Sequence, residues 1–416
     1  MSSPTDAAPN ATSSSAVIAT PSPVTMAIAL ALLLATQVLA TDVYLPALPM
    51  LARDLSAAMP AAQATMSAFV LTFGLAQLLW GPVADRFGRR PVLCAGVALF
   101  ALASLGAALA SDVSAVIGWR AVQGIGVAAS VVCARAMLRD VFEPQRGAHV
   151  MSHALGGLGL IAVAAPVAGG AIAAVAGWRS TMALLAGLGA GLLAFVVWIV
   201  PETARTRNPQ ATQLRALLGQ LRRTMAHPAF RAWTALVCAS YGGLMVFLTG
   251  SSFLLIEQLG LSMWECGLAV GSNSLVYVAG TFACRRLLAR YGLVGTVQRG
   301  AMFSAAAGVV LAWAATQPTT SVWAVVLPQW IFALGHSVHQ ACGQAGAVGP
   351  FPRAAGVASA LAGFLLALTA TAVTLWLGVA LSANRPQIYF ATLATMAGLT
   401  ALIAWTLVRR HGAQPT

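Results

Sequence analysis

Long apolar runs separated by short polar turns repeat along the whole chain. Twelve of them, at 24–46, 63–82, 91–110, 113–137, 147–174, 178–200, 228–256, 264–286, 297–316, 320–346, 353–381 and 387–408, are long enough to cross a membrane as helices. About 20 apolar residues, rising about 1.5 Å each, span a hydrocarbon core of about 30 Å. The runs show no two-residue alternation of apolar and polar positions, so they do not read as barrel strands. In lipid the backbone must then satisfy its own hydrogen bonds as helix. The longest polar interruption, Pro201 to Pro228, carries Arg205, Arg207, Arg215, Arg222 and Arg223. It divides the runs into six and six. The pattern predicts an all-α membrane protein of twelve transmembrane helices in two pseudo-symmetric six-helix bundles. Its expected parts are a tail at 1–23, a first bundle at 24–200, a linker at 201–227, a second bundle at 228–409 and a tail at 410–416.

Composition agrees with this pattern: of 416 residues, 59% are hydrophobic and only 8% charged, and the mean hydropathy is +0.82. The net charge of +13 would suggest nucleic acid in a soluble protein, but its placement argues otherwise. All 23 basic residues are Arg. With the N-terminus inside, roughly 18 of them fall in cytoplasmic segments, as the positive-inside rule requires. Arg53, Arg179 and Arg385 fall outside, and Arg120 and Arg135 fall within a span. Both termini are therefore expected in the cytoplasm, in a bacterial inner membrane, with the lipid bilayer and no nucleic acid as partner. The first 23 residues lack a basic n-region, so a cleaved signal peptide is not expected. Six scattered cysteines form no CxxC pair and read as small packing residues. His149 and His153 are four apart, but no third ligand accompanies them, so neither metal nor cofactor is expected. A phosphate-cradling loop and a nucleophile elbow are absent from the sequence, which argues against an ATPase or an intramembrane enzyme.

Charge is dense at one place inside the first half. Gly81-Pro82-Val83-Ala84-Asp85-Arg86-Phe87-Gly88-Arg89-Arg90-Pro91-Val92 joins the second and third runs, with Gly81 and Gly88 available for a tight turn. The second half echoes it weakly with Gly280, Arg285, Arg286 and Arg290, and places Cys284 where the first half has Asp85. Two related halves suggest a substrate site near the midplane between repeats.

Further motifs follow in order: Thr41 to Pro49 (TDVYLPALP), Arg120 to Gly124 (RAVQG), Ala134 to Asp140 (ARAMLRD), Gly177-Trp178-Arg179, Pro201-Glu202-Thr203, Ser252 to Ile256 (SFLLI) and Ala355 to Leu361 (AGVASAL). Together with the hairpin they resemble the Bcr/CflA (bicyclomycin/chloramphenicol resistance) branch of drug:proton antiporters in the major facilitator superfamily, over nearly the whole chain. The resemblance implies proton-coupled efflux of small amphipathic compounds by alternating access, with a small-molecule substrate and protons as partners and a monomer as the working unit. One motif departs from the family pattern. In the fifth run, Ala164-Ala165-Pro166-Val167-Ala168-Gly169-Gly170 stands where antiporters carry glycines leading into Gly-Pro-x-x-Gly-Gly. Small residues still allow close helix approach and Pro166 still removes a backbone donor, so a bend is expected.

Asp42 is the acidic residue most clearly inside a run, about five residues or about 7 Å from its outer end, and Arg120 lies at similar depth in the fourth run. Burial favours a neutral carboxyl and a neighbouring guanidinium favours the charged one, so their balance can change as a cavity opens and closes. The expectation is that Asp42 exchanges a proton for substrate and Arg120 tunes its affinity. The alternative is a permanent structural ion pair. The hairpin is read as a gate: Asp85 near the N-terminus of the eleventh span, after Pro352, and Arg89 reaching Asp140, latching the halves on the cytoplasmic side, with Arg86, Arg90, Arg135 and Arg139 around them and Pro166, Gly169 and Gly170 as the second gating element. Arg135 can equally bind a carbonyl or an anionic group. Candidate cavity residues are Gln37, Tyr44, Met66, Phe69, Phe73, Gln123, Tyr241, Met245, Phe247, Asn273, Gln329, His336 and Gln340, with His339 and Gln344 close by. Helix-to-helix hydrogen bonding is the competing role for the polar ones. A dedicated exporter of an amino acid, dipeptide or siderophore, and a non-transporting sensor or scaffold, are the alternatives in function.

Overall fold

The computed structural model describes residues 23–142, 144–204, 207–209, 211–317, 321–351, 354–381 and 385–412, and the expected N-terminal tail lies outside this set except for Pro23. All regular structure among the described residues is helical.

The first run does not form one helix. Helix α1 (Pro23–Asp42) stops short of the expected end, a 3₁₀ turn follows at Leu45–Ala47, and α2 (Leu48–Asp54) completes the crossing. The cause is in the motif: the helical partner of the Asp42 carbonyl would be the amide of residue 46, and Pro46 has none. Asp42 consequently lies at a break in the middle of a crossing that continues to Asp54, deeper than the sequence suggested.

Helix α3 (Met59–Phe87) runs through Gly81 and Pro82, so the expected hairpin contracts to a single residue. Only Gly88, at φ +105°, turns the chain into α4 (Arg89–Ala108). Asp112 caps α5 (Val113–Val141) by accepting the Ala115 amide at 2.9 Å. Helix α6 (Pro144–Ala176) continues through Pro166, and α7 (Trp178–Ile199) closes the first half. The linker is not simply a polar bridge, since it contains α8 (Leu214–Ala226). Leu217 and Leu221 on one side of α8 are half-buried, while Arg215, Arg222 and Arg223 are exposed.

In the second half, α9 (Pro228–Phe253) ends in a wide turn at Leu254–Gln258. Helix α10 (Met263–Ala314) has 52 residues, about 78 Å at about 1.5 Å each, enough for two crossings. Gly292, at φ +64°, breaks it into arms 263–291 and 293–314, which match the eighth and ninth predicted runs. Then come α11 (Val322–Val348), α12 (Ala355–Leu381) and α13 (Pro386–Ile403), followed by a wide turn to Val408 and α14 (Arg409–His411).

Two seams join the halves: α3 against α12, and α6 against the first arm of α10. Small residues make both possible. A Cβ at Gly74 would collide with Ala367, one at Gly170 with the Met263 carbonyl, and one at Gly267 would come within 2.6 Å of the Pro166 carbonyl. Gly271 lies against the Val163 carbonyl and Gly378 against Gln63 and Pro60. Gly170, Gly267 and Gly378 lie in the part of their helices away from the linker, and Gly74 lies at the middle of α3. At that far end, Arg53 in the last turn of α2 pairs with Glu257 after α9 at 3.7 Å, across the halves. The space between the halves opens instead toward the linker.

Candidate functional site

Arg120 is fully buried inside the first half. Its Nη1 donates to the Ala40 carbonyl at 2.9 Å and to Gln123 Oε1, and its Nη2 lies 3.5 Å from Met66 Sδ. The guanidinium carbon lies 4.7 Å from the centre of the Tyr44 ring and 4.3 Å from that of Phe69, a double cation–π arrangement. Tyr44 is fixed by Thr65 at 2.7 Å, and Gln123 donates to Ser104 at 2.6 Å. The cage follows from the break in α1. The last carbonyls of a helix lack intrahelical partners and carry partial negative charge, and Arg120 meets one of them.

Asp42 and Arg120 form no ion pair, which argues against the alternative of a permanent structural pair. Asp42 accepts a hydrogen bond from Thr41 Oγ1 at 2.8 Å and is half-buried, within electrostatic reach of Tyr241 in the second half. The Arg120 Nη atoms are instead taken up by the Ala40 carbonyl, Gln123 and Met66 beneath two rings, while its buried Nε has no hydrogen-bond partner.

Between the halves lies a deep cavity of about 390 Å³ lined by Gln37, Val70, Phe73, Gln77, Arg135, Tyr241, Gln340, Gln344, Val348, Ser359 and Leu366. A second cavity of about 580 Å³ lies toward the linker and shares Gln77, Arg135 and Ser359 with the first. Arg139, Asp85, Arg89, Gly81 and α8 line this outer part. Together they form a funnel from mid-membrane to the linker. Arg135 Nη1 donates to Ser359 Oγ at 3.4 Å, a bridge from α5 to α12 across the funnel.

Among the residues expected in the cavity, Gln37, Phe73, Tyr241 and Gln340 line it. Tyr44, Met66, Phe69 and Gln123 do not; they build the Arg120 cage. Met245 and Phe247 are buried in the core, where apolar packing rather than a ligand surrounds them. Asn273 accepts from Gln329 Nε2 at 3.1 Å, and His336 Nδ1 lies 2.8 Å from Ser240 Oγ. These three polar residues join helices to one another instead of facing the funnel. Gln77 and Ser359 were missed. A glutamine inside an apolar span and a serine within the AGVASAL motif were the available signals.

The Gly88 turn is held by charge. Arg89 Nε donates to Asp140 Oδ2 at 3.0 Å, as expected, and its Nη1 pairs with Asp85. Among the described residues Asp85 makes no hydrogen bond to α12, although both line the outer funnel. Arg86 donates to Thr212 Oγ1 at 2.8 Å, and Arg90 to the Val197 carbonyl. These contacts all stay within the first half and linker, so in this conformation the hairpin does not bridge the halves. Glu202, overlooked as a site residue although its motif was noted, organises the turn: its carboxylate accepts the amides of Arg89, Arg90, Thr203 and Ala204 at 2.9–3.2 Å. A carboxylate at the first turn of α4 also meets the positive end of its dipole. Pro166, Gly169 and Gly170 sit in the sealed part, Gly169 against Val43 and Gly170 against Met263.

In the second half, Cys284 is buried with its Sγ 3.7 Å from that of Cys342, so the counterpart of Asp85 packs between α10 and α11. No metal-ligating cluster occurs among the described residues, and the side chains of His149 and His153 lie outside that set.

Two halves closed at one end around a polar funnel are the arrangement of a carrier, and the family model described as Major Facilitator Superfamily matches residues 30–374. The chain belongs to the Major Facilitator Superfamily. Within this superfamily it is similar to Multidrug resistance protein D of Escherichia coli K12, with 28% identity over 92% of this chain and 95% of that protein. It is also similar to a chloramphenicol resistance protein of Pseudomonas aeruginosa, with 28% identity over 78% and 76% of the two chains. A solved superfamily fold, the bacterial homolog of the human lysosomal transporter Spinster in an inward-facing, unoccupied conformation, matches at a TM-score of 0.73 over 95% of this chain and 99% of that one, with 14% identity. The superfamily likeness in fold thus covers both halves.

Proposed function

We propose that this protein is a proton-coupled antiporter that exports drugs or other small amphipathic compounds by alternating access. The observation that carries the reading is the funnel between the halves, sealed at the far end by close-packed glycine seams and open toward the linker. The names of its curated relatives, with their drug and chloramphenicol resistance, point to the compounds. The Arg-rich linker end is the cytoplasmic side of a bacterial inner membrane, with both termini there, so the conformation described is inward-facing. One chain encloses its own site, and the monomer is the working unit.

Asp42 is the proton carrier. Of ten acidic residues, Asp6 and Glu143 lie outside the described set. Asp54, Asp85, Asp140 and Glu257 are paired with Arg, and Asp112, Glu202 and Glu265 accept backbone amides. Asp42 alone among the described acids has neither kind of partner, only the Thr41 hydroxyl. It sits at a helix break five residues beyond the cavity-lining Gln37, within electrostatic reach of Tyr241.

Purified protein in proteoliposomes tests this. With an imposed pH gradient, chloramphenicol is expected to accumulate and to release protons stoichiometrically, and Asp42→Asn to lose the gradient-driven component while retaining downhill exchange. Full gradient-driven transport by Asp42→Asn would remove Asp42 as the carrier.

A further inference from the structure

Among the described residues, Arg135 is the single charged one lining the deep cavity. Its hydrogen bond to Ser359 Oγ is long, and none of the eight described carboxylates pairs with it. One turn further along α5, Arg139 lines the outer funnel and repels it. The rest of the deep cavity supplies neutral amides from Gln37, Gln77 and Gln340 and apolar walls from Phe73 and Leu366. A guanidinium among low-dielectric walls without a counter-ion is costly, and an arriving anion gains most from it. A cation entering the same place meets repulsion from Arg135 and no carboxylate among the lining residues.

We propose that the deep cavity is a binding site for an amphipathic organic anion, whose carboxylate or equivalent oxyanion is held by Arg135 while its apolar body lies against Phe73 and Leu366. This deepens the export reading and rests on it. A cavity of about 390 Å³ falls within the range of about 300–1,000 Å³ usual for small-molecule sites. Ser359 then passes from partner of Arg135 to co-ligand, since its hydroxyl can donate to the same oxyanion. Arg135 lies toward the linker and Asp42 toward the sealed end, so protons and anion are linked through the change of conformation and not by contest for one group. Export of a monovalent anion in exchange for one proton moves positive charge inward with both ions, so an inside-negative membrane potential accelerates it.

The test uses full-length protein in detergent and three matched probes: 2-naphthoate, the neutral 2-naphthamide and the cationic 2-naphthylmethylammonium, with binding measured by titration calorimetry. Naphthoate is expected to bind about tenfold more tightly than the cation, the scale of one charge-assisted hydrogen-bonded pair. Arg135→Gln should abolish this preference and Arg135→Lys should keep part of it, with thermal melting of each variant checked first. If Arg135→Gln fails to fold, the wild-type order of affinities and the Lys variant still decide. Equal or tighter binding of the cation, an unchanged preference in Arg135→Gln, or no binding of naphthoate at millimolar concentration overturns the site. Export itself is read separately in proteoliposomes. Gradient-driven transport of cations with no anion preference overturns the anion site and leaves export standing. Anion binding with no gradient-driven transport supports the site and removes export.

Discussion

Arg120 Nη1 donates a 2.9 Å hydrogen bond to the carbonyl of Ala40, tying α5 to the last turn of α1. Two residues further on stands Asp42. The basic residue thus acts on the acidic one through the backbone that carries it: it holds the helix end at which the carboxyl sits, and the Tyr44 and Phe69 rings hold the guanidinium.

Arg120→Lys should damage this joint although charge is conserved. Lysine cannot serve the Ala40 carbonyl, Gln123 and two ring faces at once. A loss of about 1–3 kcal/mol is expected, the scale of a hydrogen bond to a charged group, read as a lower melting temperature in detergent. Transport should slow in parallel. An unchanged melting temperature would show that the cage adds nothing to the joint.

Gly170→Val should open the far end. A Cβ at this position already collides with the Met263 carbonyl, so a branched side chain forces α6 and α10 apart. Labelling of a cysteine placed at Glu257 by a membrane-impermeant maleimide is expected to rise severalfold, with transport lost and the amount in the membrane unchanged. Equal labelling with normal transport would mean the seam tolerates separation.

Glu202→Ala should loosen the Gly88 turn. Four backbone amides lose their acceptor at once, and an unsatisfied buried donor costs about 1–3 kcal/mol. Glu202→Gln keeps one carbonyl oxygen and should recover part of the loss. Thermal melting of both variants, with the order Ala below Gln below wild type, checks the cap; identical curves would dismiss it.

Asp85→Asn should slow transport severalfold without affecting insertion. Arg89 keeps Asp140, so the turn survives, but the charge that can meet α12 when the funnel closes is gone. Initial rates at matched membrane levels decide, and rates equal to wild type would remove the hairpin as a latch between the halves.

The helices were legible because a membrane span announces itself by length and apolarity, and every predicted run has its helix. Their ends were less legible where special backbone intervenes: Pro46 broke the first run, and Gly81 stayed helical while Gly88 alone made the turn. The site was partly legible. Gln37, Phe73, Tyr241 and Gln340 face the cavity as expected, whereas Met66, Phe69 and Gln123 face Arg120. A residue's type does not tell which side of a helix meets solvent-filled space when every side is apolar enough for lipid.

By itself, then, the sequence determined that this chain is an all-helical membrane protein of the superfamily fold, and it singled out Asp42, Arg120, Arg135 and the Gly81–Val92 segment as its dense or intramembrane charges. Those facts depend on composition along the chain, which local hydration energies read directly. Only the tertiary structure decided that Arg120 holds a helix end instead of Asp42, that Glu202 caps the turn, that glycines seal the far end, and that Arg135 enters the cavity with no counter-ion among the described residues. Each of these depends on which faces of distant helices meet, and in a bilayer that choice is made by side-chain shape and hydrogen bonding between helices, not by the hydrophobic pattern within any one of them.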